Sequence, residues 1–287
     1  PPPPARMLIP LYIAPGTNVV RWEPVMSTGY SSSIDVILNP KNGAGSAMDN
    51  NYKVGISRLR SAGMGVYGYI YTGYGTRDMA IVKSEVDKWL NWYAPITGIF
   101  VDEAEYRSNQ PDIPYYAELY NYISAKGLKV VNNPGTMTTE GYINTADTTC
   151  IFESAAPNSF SMPLWTWNYP SSKFCFLAYG ASVEQMRTLV DTARRNNIGY
   201  VYITNVSVGD YWASLPSYLV EEASLLGDSP TVTPTKTPVI STPIITATKT
   251  ITPTLTPVPV TPKSEVCFTL APTVTIDGIG RGQVCFK

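Results

Sequence analysis

Histidine is missing from this 287-residue chain, and its absence removes much of the chemistry a hydrolase could use. There is no imidazole base, no Ser-His-Asp arrangement and almost no route to a catalytic zinc site. Any hydrolytic step has to run on carboxylates. An excess of one charge is lacking too. The 21 Lys and Arg stand against 22 Asp and Glu, a formal net of −1, and they form no basic stripe, so nucleic acid is not an expected partner. No apolar run is long enough to span a membrane. No Gly-Lys-Ser or Gly-Lys-Thr occurs, which excludes the phosphate loop that a Walker-type ATPase requires. No metal and no cofactor are expected.

Cysteine is scarce, with four in all, and they fall into two separate pairs. Cys150 and Cys175 sit inside apolar strand-like runs, where a thiol usually serves as a small buried hydrophobe. Cys267 and Cys285 bracket a short, core-poor segment in which a disulfide is plausible if the protein is exported. A signal peptide is lacking as well, and the opening Pro-Pro-Pro-Pro reads as the start of a mature or excised fragment.

Aromatic residues are abundant, 20 Tyr and 6 Trp among them, and such rings suit sugar faces as well as cores. The organising stretch is Ile96 to Ala104, an apolar run that stops on Asp102 and Glu103. It reads as a buried strand of a parallel sheet, and the C-terminal ends of such strands are where ligands and catalytic groups collect. The alternative is a merely solvated strand end. Other strands are expected at Met7–Ile13, Ile34–Leu38, Gly65–Tyr71, Leu128–Val131, Cys150–Glu153, Phe174–Tyr179 and Tyr200–Ile203. Helical stretches fall between several of them, such as the stripe Met79, Val82, Val86, Trp89 and Leu90 with Thr76 as candidate N-cap. Eight strands alternating with helical stretches over about 225 residues predict an α/β fold, a (β/α)8 barrel at 5–228. Residues 229–262 are a Thr/Pro-rich linker that could reach on the order of 100 Å at ~3.1 Å per residue. Residues 263–287 are too short for a core of their own and read as a C-terminal fragment, the start of another module.

The strand ends and the loops beyond them place Tyr12, Asn39, Thr72, Tyr74, Asp102, Glu103, Asn133, Glu153, Tyr179 and Asn205 on one rim, with Trp165, Trp167, Tyr211 and Trp212 in following loops. Carboxylates can supply acid and nucleophile, amides and phenols can bind hydroxyls, and rings can stack on sugars. Glu105 and Asp112, past the strand, are expected to be solvated.

Several runs resemble the spherulin-4-like family: Leu8-Ile-Pro-Leu-Tyr-Ile-Ala-Pro-Gly-Thr17, Ile37-Leu-Asn-Pro40, Gly68-Tyr-Ile-Tyr-Thr-Gly-Tyr-Gly75, Gly98-Ile-Phe-Val-Asp-Glu103, Asn133-Pro-Gly-Thr136 and Phe152-Glu153. The resemblance covers Met7 to Ser154 and is weaker to Gly227. It implies a (β/α)8-barrel glycoside hydrolase cutting α-1,4-linked N-acetylgalactosamine within galactosaminogalactan, with the family's important acids at Asp102, Glu103 and Glu153. The expectation is therefore a secreted or cell-surface, endo-acting, retaining enzyme on a (N-acetyl)galactosamine-containing polysaccharide. Asp102 is the nucleophile, Glu153 the general acid/base, and Glu103 tunes or binds beside them. It is expected to be a monomer with tethered neighbouring domains. The alternatives are a carbohydrate-binding or adhesion barrel without turnover, or a structural stress protein with no pocket at the rim.

Overall fold

The computed structural model describes residues 5–105 and 113–227, and the backbone of four short strands between 266 and 286. The Thr/Pro-rich linker at 229–262 and Asp112 lie outside the described residues. The chain divides into two compact units, Pro1–Pro234 and Thr235–Lys287. In the second unit, Val266–Thr269 pairs antiparallel with Gln283–Phe286, and Cys267 stands opposite Cys285 in the register.

In the first unit eight strands run β1 Arg6–Pro10, β2 Ile34–Leu38, β3 Gly65–Tyr71, β4 Gly98–Asp102, β5 Lys129–Asn132, β6 Thr148–Ala155, β7 Phe174–Tyr179 and β8 Tyr200–Ile203. All neighbours are parallel, and β8 pairs with β1 to close a barrel. The strands are apolar on both faces because side chains fill the barrel on one side and helices cover the other, as a parallel sheet requires. Cys150 and Cys175 are free, buried and partnered in register between β6 and β7.

The outer layer is α1 Glu23–Met26, α2 Asn50–Ser61, α3 Met79–Tyr93, α4 Ile113–Ser124, α5 Val183–Arg195 and α6 Leu219–Leu226. Caps set where they begin. The Asp49 side chain accepts from Asn51 N at 2.8 Å, and Ser182 forms a full capping box with Gln185, devices worth about 1 kcal/mol each. The helix α3 starts on Asp78, which accepts from Ala80 N and Ile81 N, and not on Thr76. The Thr76 hydroxyl instead bonds back to Gly73 O at 2.6 Å, closing the preceding turn. No α-helix follows β5 or β6. Short 3-10 turns at Glu140–Thr145 and Leu164–Asn168 take their place, in segments broken by Pro134, Pro157, Pro163 and Pro170.

The seam between β8 and β1 is short, with two register pairs. Beyond it the Ile203 N–H is taken by Glu222 Oε1 of α6 at 2.7 Å. Glu222 is fully buried and its Oε2 has no hydrogen-bond partner among the described residues, so burial pushes its carboxyl well above the ordinary range. Helix α6 runs back against the strands and ends at Gly227, packed on Tyr30 and Ser33 just ahead of β2. Both ends of the barrel thus lie on the face where the strands begin.

Candidate active site

The register of β3 on β4 sets the site. Tyr67 pairs with Gly98, Tyr69 with Phe100 and Tyr71 with Asp102. The two-residue alternation of strands puts Tyr67, Tyr69, Gly98, Phe100 and Asp102 on the inner side. The rings of Tyr69 and Phe100 stack at 6.2 Å, and Gly98 leaves room for the Tyr67 ring. Gly68 faces the other way, onto the buried indole of Trp89. Tyr69 then reaches upward along the barrel, and its hydroxyl donates to Asp102 Oδ2 at 2.7 Å.

The second oxygen of Asp102 accepts from Asn133 Nδ2 at 2.7 Å, and the same nitrogen donates to Glu153 Oε2 at 2.5 Å. Asn133 follows β5, between β4 and β6, so one amide spans the strand that separates the two acids. Its Oδ1 accepts from Gly135 N at 3.1 Å, which fixes the orientation of the amide and aims both of its hydrogens at carboxylates. The shared nitrogen keeps the nearest carboxylate oxygens no more than about 5 Å apart, short of the ~6.5 to 9.5 Å separation of carboxyl groups that hold a water between them. Glu153 Oε1 accepts from Trp212 Nε1 at 3.0 Å.

Burial raises the Glu153 pKa, and the neighbouring Asp102 adds to it, while the bonds from Asn133 and Trp212 pull it back; the net direction is upward. An upward shift on one carboxyl of a close pair is the electrostatic asymmetry that suits a general acid. Tyr12 leans edge-on against Tyr69, with ring centroids 5.9 Å apart. Its phenol is raised by burial and then by Asp102 and Glu153, which keeps it a neutral donor at the mouth. In Trp212→Phe the bond that favours ionised Glu153 is gone, so Glu153 should titrate at higher pH than in the parent. Carbon-13 NMR of the glutamate carboxyls reads this directly, and an unmoved or lowered Glu153 would show that the indole does not tune it.

Past Asp102 the chain turns sharply. Glu103 has a φ of 48, a left-handed conformation that costs a non-glycine residue on the order of 1 kcal/mol. Three hydrogen bonds hold the turn. Tyr74 N and Thr72 Oγ1 donate to Glu103 O at 2.7 and 2.8 Å, and Ala104 N donates to Asn133 O at 3.1 Å. At about 1 kcal/mol net apiece they outweigh the strain. With its hydrogen committed to Glu103 O, Thr72 Oγ1 receives the Tyr116 hydroxyl at 2.9 Å, which itself accepts from Glu105 N at 2.8 Å.

Two expectations are corrected by this turn. Glu105 is 2% exposed and not solvated, because the turn folds it under Tyr116. Thr72 is fully buried and braces the turn where a sugar contact was expected. Asn39 and Asn205 are used locally: Asn39 Oδ1 accepts from Gly43 N and Asn205 Oδ1 from Ser217 N. Tyr74 stands on the rim, 47% exposed. Tyr179 ends β7 stacked on Tyr211, 3.7 Å between centroids and 5° between planes.

Trp165 and Trp167 are the largest correction, since they lie at the opposite end of the barrel. Trp165 packs against Phe174, the first residue of β7, at 6.1 Å, and Asn197, just ahead of β8, donates to Thr166 O at 3.0 Å. The loop after β6 has crossed from the rim to the floor before this turn forms. Tyr69, which the sequence reading did not single out, is the residue gained. Its signal was the alternation Tyr67, Tyr69, Tyr71 on the strand beside the acids. Among the described residues no three His, Cys, Asp or Glu side chains are grouped to hold a metal ion.

The sequence pattern of Spherulin4, spherulation-specific family 4, matches residues 6–226. Spherulin-4 of Physarum polycephalum is 32% identical over 236 residues, covering 77% of this chain and 70% of its own length. The crystal structure of Aspergillus clavatus Sph3 in complex with GalNAc superposes with a TM-score of 0.67 at 23% identity, over 79% of this chain and 98% of that one. The Bacillus cereus spore cortex-lytic enzyme SleL matches with a TM-score of 0.51 at 6% identity, over 78% of this chain and 74% of its own.

Proposed function

Because the chain belongs to the spherulation-specific family 4, we propose that it is a glycoside hydrolase that cleaves within a polysaccharide containing N-acetylgalactosamine, with retention at the anomeric carbon. The observation that carries the reading is the single Asn133 amide held between Asp102 and Glu153. A barrel that only bound sugar would have no use for two carboxylates joined across its mouth, one of them with a raised pKa. Sph3, crystallised with GalNAc, supports the choice of sugar, and the reading is further supported by both acids lying toward the C-terminal ends of their strands, where barrel enzymes carry catalytic groups.

In this mechanism Asp102 is the nucleophile. Tyr69 and Asn133 each donate to one of its oxygens, which fixes the carboxylate plane. Glu153, with its raised pKa, carries a proton to the leaving oxygen as Asp102 closes on the anomeric carbon. It then takes a proton from water as the ester is hydrolysed. Since Glu153 must start protonated, the rate should fall as pH rises through its elevated pKa. Glu103, on the left-handed turn that follows the nucleophile, adds to burial and Asp102 in raising the Tyr69 phenol and so tunes the group that holds Asp102. A polymeric substrate and the Thr/Pro-rich composition of 229–262 suit a secreted or cell-surface setting.

The test is to incubate the protein with α-1,4-linked N-acetylgalactosamine polymer while following reducing ends and the first-formed anomer by NMR. The expected product keeps the α configuration of the substrate. Appearance of the β anomer first would overturn retention, and absence of new reducing ends would overturn the hydrolase reading.

A further inference from the structure

The aromatic groups at the mouth are unevenly shared between the two acids. Asp102 is met by Tyr69, with Tyr12 behind it. Glu153 is bonded to Trp212, whose ring meets Tyr179 edge-on at 6.2 Å, and Tyr179 lies flat on Tyr211. Those three rings form one wall, from the end of β7 to the loop after β8, attached to the residue that handles the proton. Tyr179 and Tyr211 are only partly buried. Their parallel stack extends the wall beyond the indole, and stacked rings at a rim offer a flat face of the kind that suits a sugar ring. The loop carrying Tyr211 and Trp212 is also pinned in place. Asp210 Oδ1 accepts from Trp212 N at 3.0 Å, and Trp212 O accepts from Tyr12 N at 3.3 Å.

We propose that the protein is also a transglycosidase, in which a saccharide acceptor held on Tyr179, Tyr211 and Trp212 competes with water for the glycosyl-enzyme. The inference rests on the retaining reading above. Once Asp102 has formed its ester with the anomeric carbon, the sugar released beside Glu153 leaves a space that is apolar on one side and walled by rings. Such a space holds a sugar face better than it holds water. In the transfer step a hydroxyl oxygen of the acceptor bonds to the anomeric carbon as the bond from that carbon to Asp102 breaks. The bonding pair returns to Asp102 as carboxylate, and the hydroxyl proton goes to Glu153. One glycosidic bond has been cut and one made. No water is consumed and nothing is oxidised or reduced.

The experiment uses the full chain and purified α-1,4-linked N-acetylgalactosamine hexasaccharide at concentrations from micromolar to tens of millimolar, with products sized by mass spectrometry. Products longer than the hexamer should appear, and their share should rise with saccharide concentration. Tyr211→Ala should lower the ratio of transfer to hydrolysis about tenfold, the loss of one good stacking contact, whereas Tyr211→Phe should keep it. Should the alanine variant not fold, Tyr211→Leu gives the same comparison with bulk and no ring. Cleavage yielding only shorter products at every concentration overturns transfer and leaves the hydrolase reading standing. A folded ringless variant with an unchanged ratio overturns the placing of the acceptor on these rings. No cleavage at all overturns both.

Discussion

Asp102→Asn and Glu153→Gln should each lower the proposed turnover of the polysaccharide by on the order of 10³-fold or more, because each removes a group to which the proposed mechanism gives a role in the transition state. The two variants should part company on a substrate with a good leaving group. Glu153→Gln loses the proton donor but keeps the nucleophile, so an aryl glycoside that needs no protonation should recover much of its first step. Asp102→Asn should recover nothing, since no bond to the anomeric carbon can form. Both changes are close to isosteric. Each places an amide nitrogen near existing donors, Tyr69 and Asn133 in one case, Asn133 and Trp212 in the other, a cost of about 1–3 kcal/mol. The thermal transition should stay cooperative and move by several degrees. A folded Asp102→Asn with near-parental rates would remove Asp102 from the mechanism, and the reverse pattern of recovery would exchange the two roles.

The largest expected effect on stability lies four residues before Asp102. In Gly98→Ala the new methyl would sit 2.3 Å from the carbonyl oxygen of Lys129 and 2.7 Å from Cε1 of Tyr67. The carbonyl is backbone of β5 and cannot swing aside, so β4 and β5 must separate, at about 3 kcal/mol or more. Gly127→Ala is the comparison. Its φ is 73 and nothing lies within 4 Å of the added carbon, so only conformational strain of about 1 kcal/mol is incurred. Denaturant unfolding of both variants checks the contrast. Gly98→Ala should also lose activity, since Asn133 and Asp102 sit at the tips of the two strands being forced apart. A Gly98→Ala protein within about 0.5 kcal/mol of the parent would mean that β4 and β5 do not approach so closely.

The barrel was legible because its strands are unbroken apolar runs and its acids interrupt them. Asp102 and Glu153 stand out in sequence for that reason. The amide between them does not, because its role depends on three strands lying side by side in register, and Asn133 taken alone is one strand-end amide among several. Tyr69 was hidden among neighbouring tyrosines; only the register of β3 on β4 shows which hydroxyl reaches Asp102. Trp165 and Trp167 misled because sequence order says that they follow β6 but not how far the chain has descended. A regular helix would have marked the return path, and the segment from Ala156 to Lys173 has 3-10 turns instead. Thr72 was read for its position at a strand end, yet a hydroxyl is as useful for bracing a strained turn as for meeting a ligand.

Both ends of the barrel leave from its floor, with Arg6 N bonded to Gly199 O at 2.8 Å just ahead of β8 and Gly227 resting beside Ser33. The mouth of Asp102 and Glu153 is on the opposite side. Immobilising the isolated barrel directly at residue 5 or residue 227, on a bead or on a fused carrier, therefore presents the mouth to the surrounding medium and the floor to the support. A circular permutant that joins residue 5 to residue 227 and opens the chain elsewhere on the floor would keep that orientation. One opened in a rim loop would carry its attachment point to the side of Asp102 and Glu153.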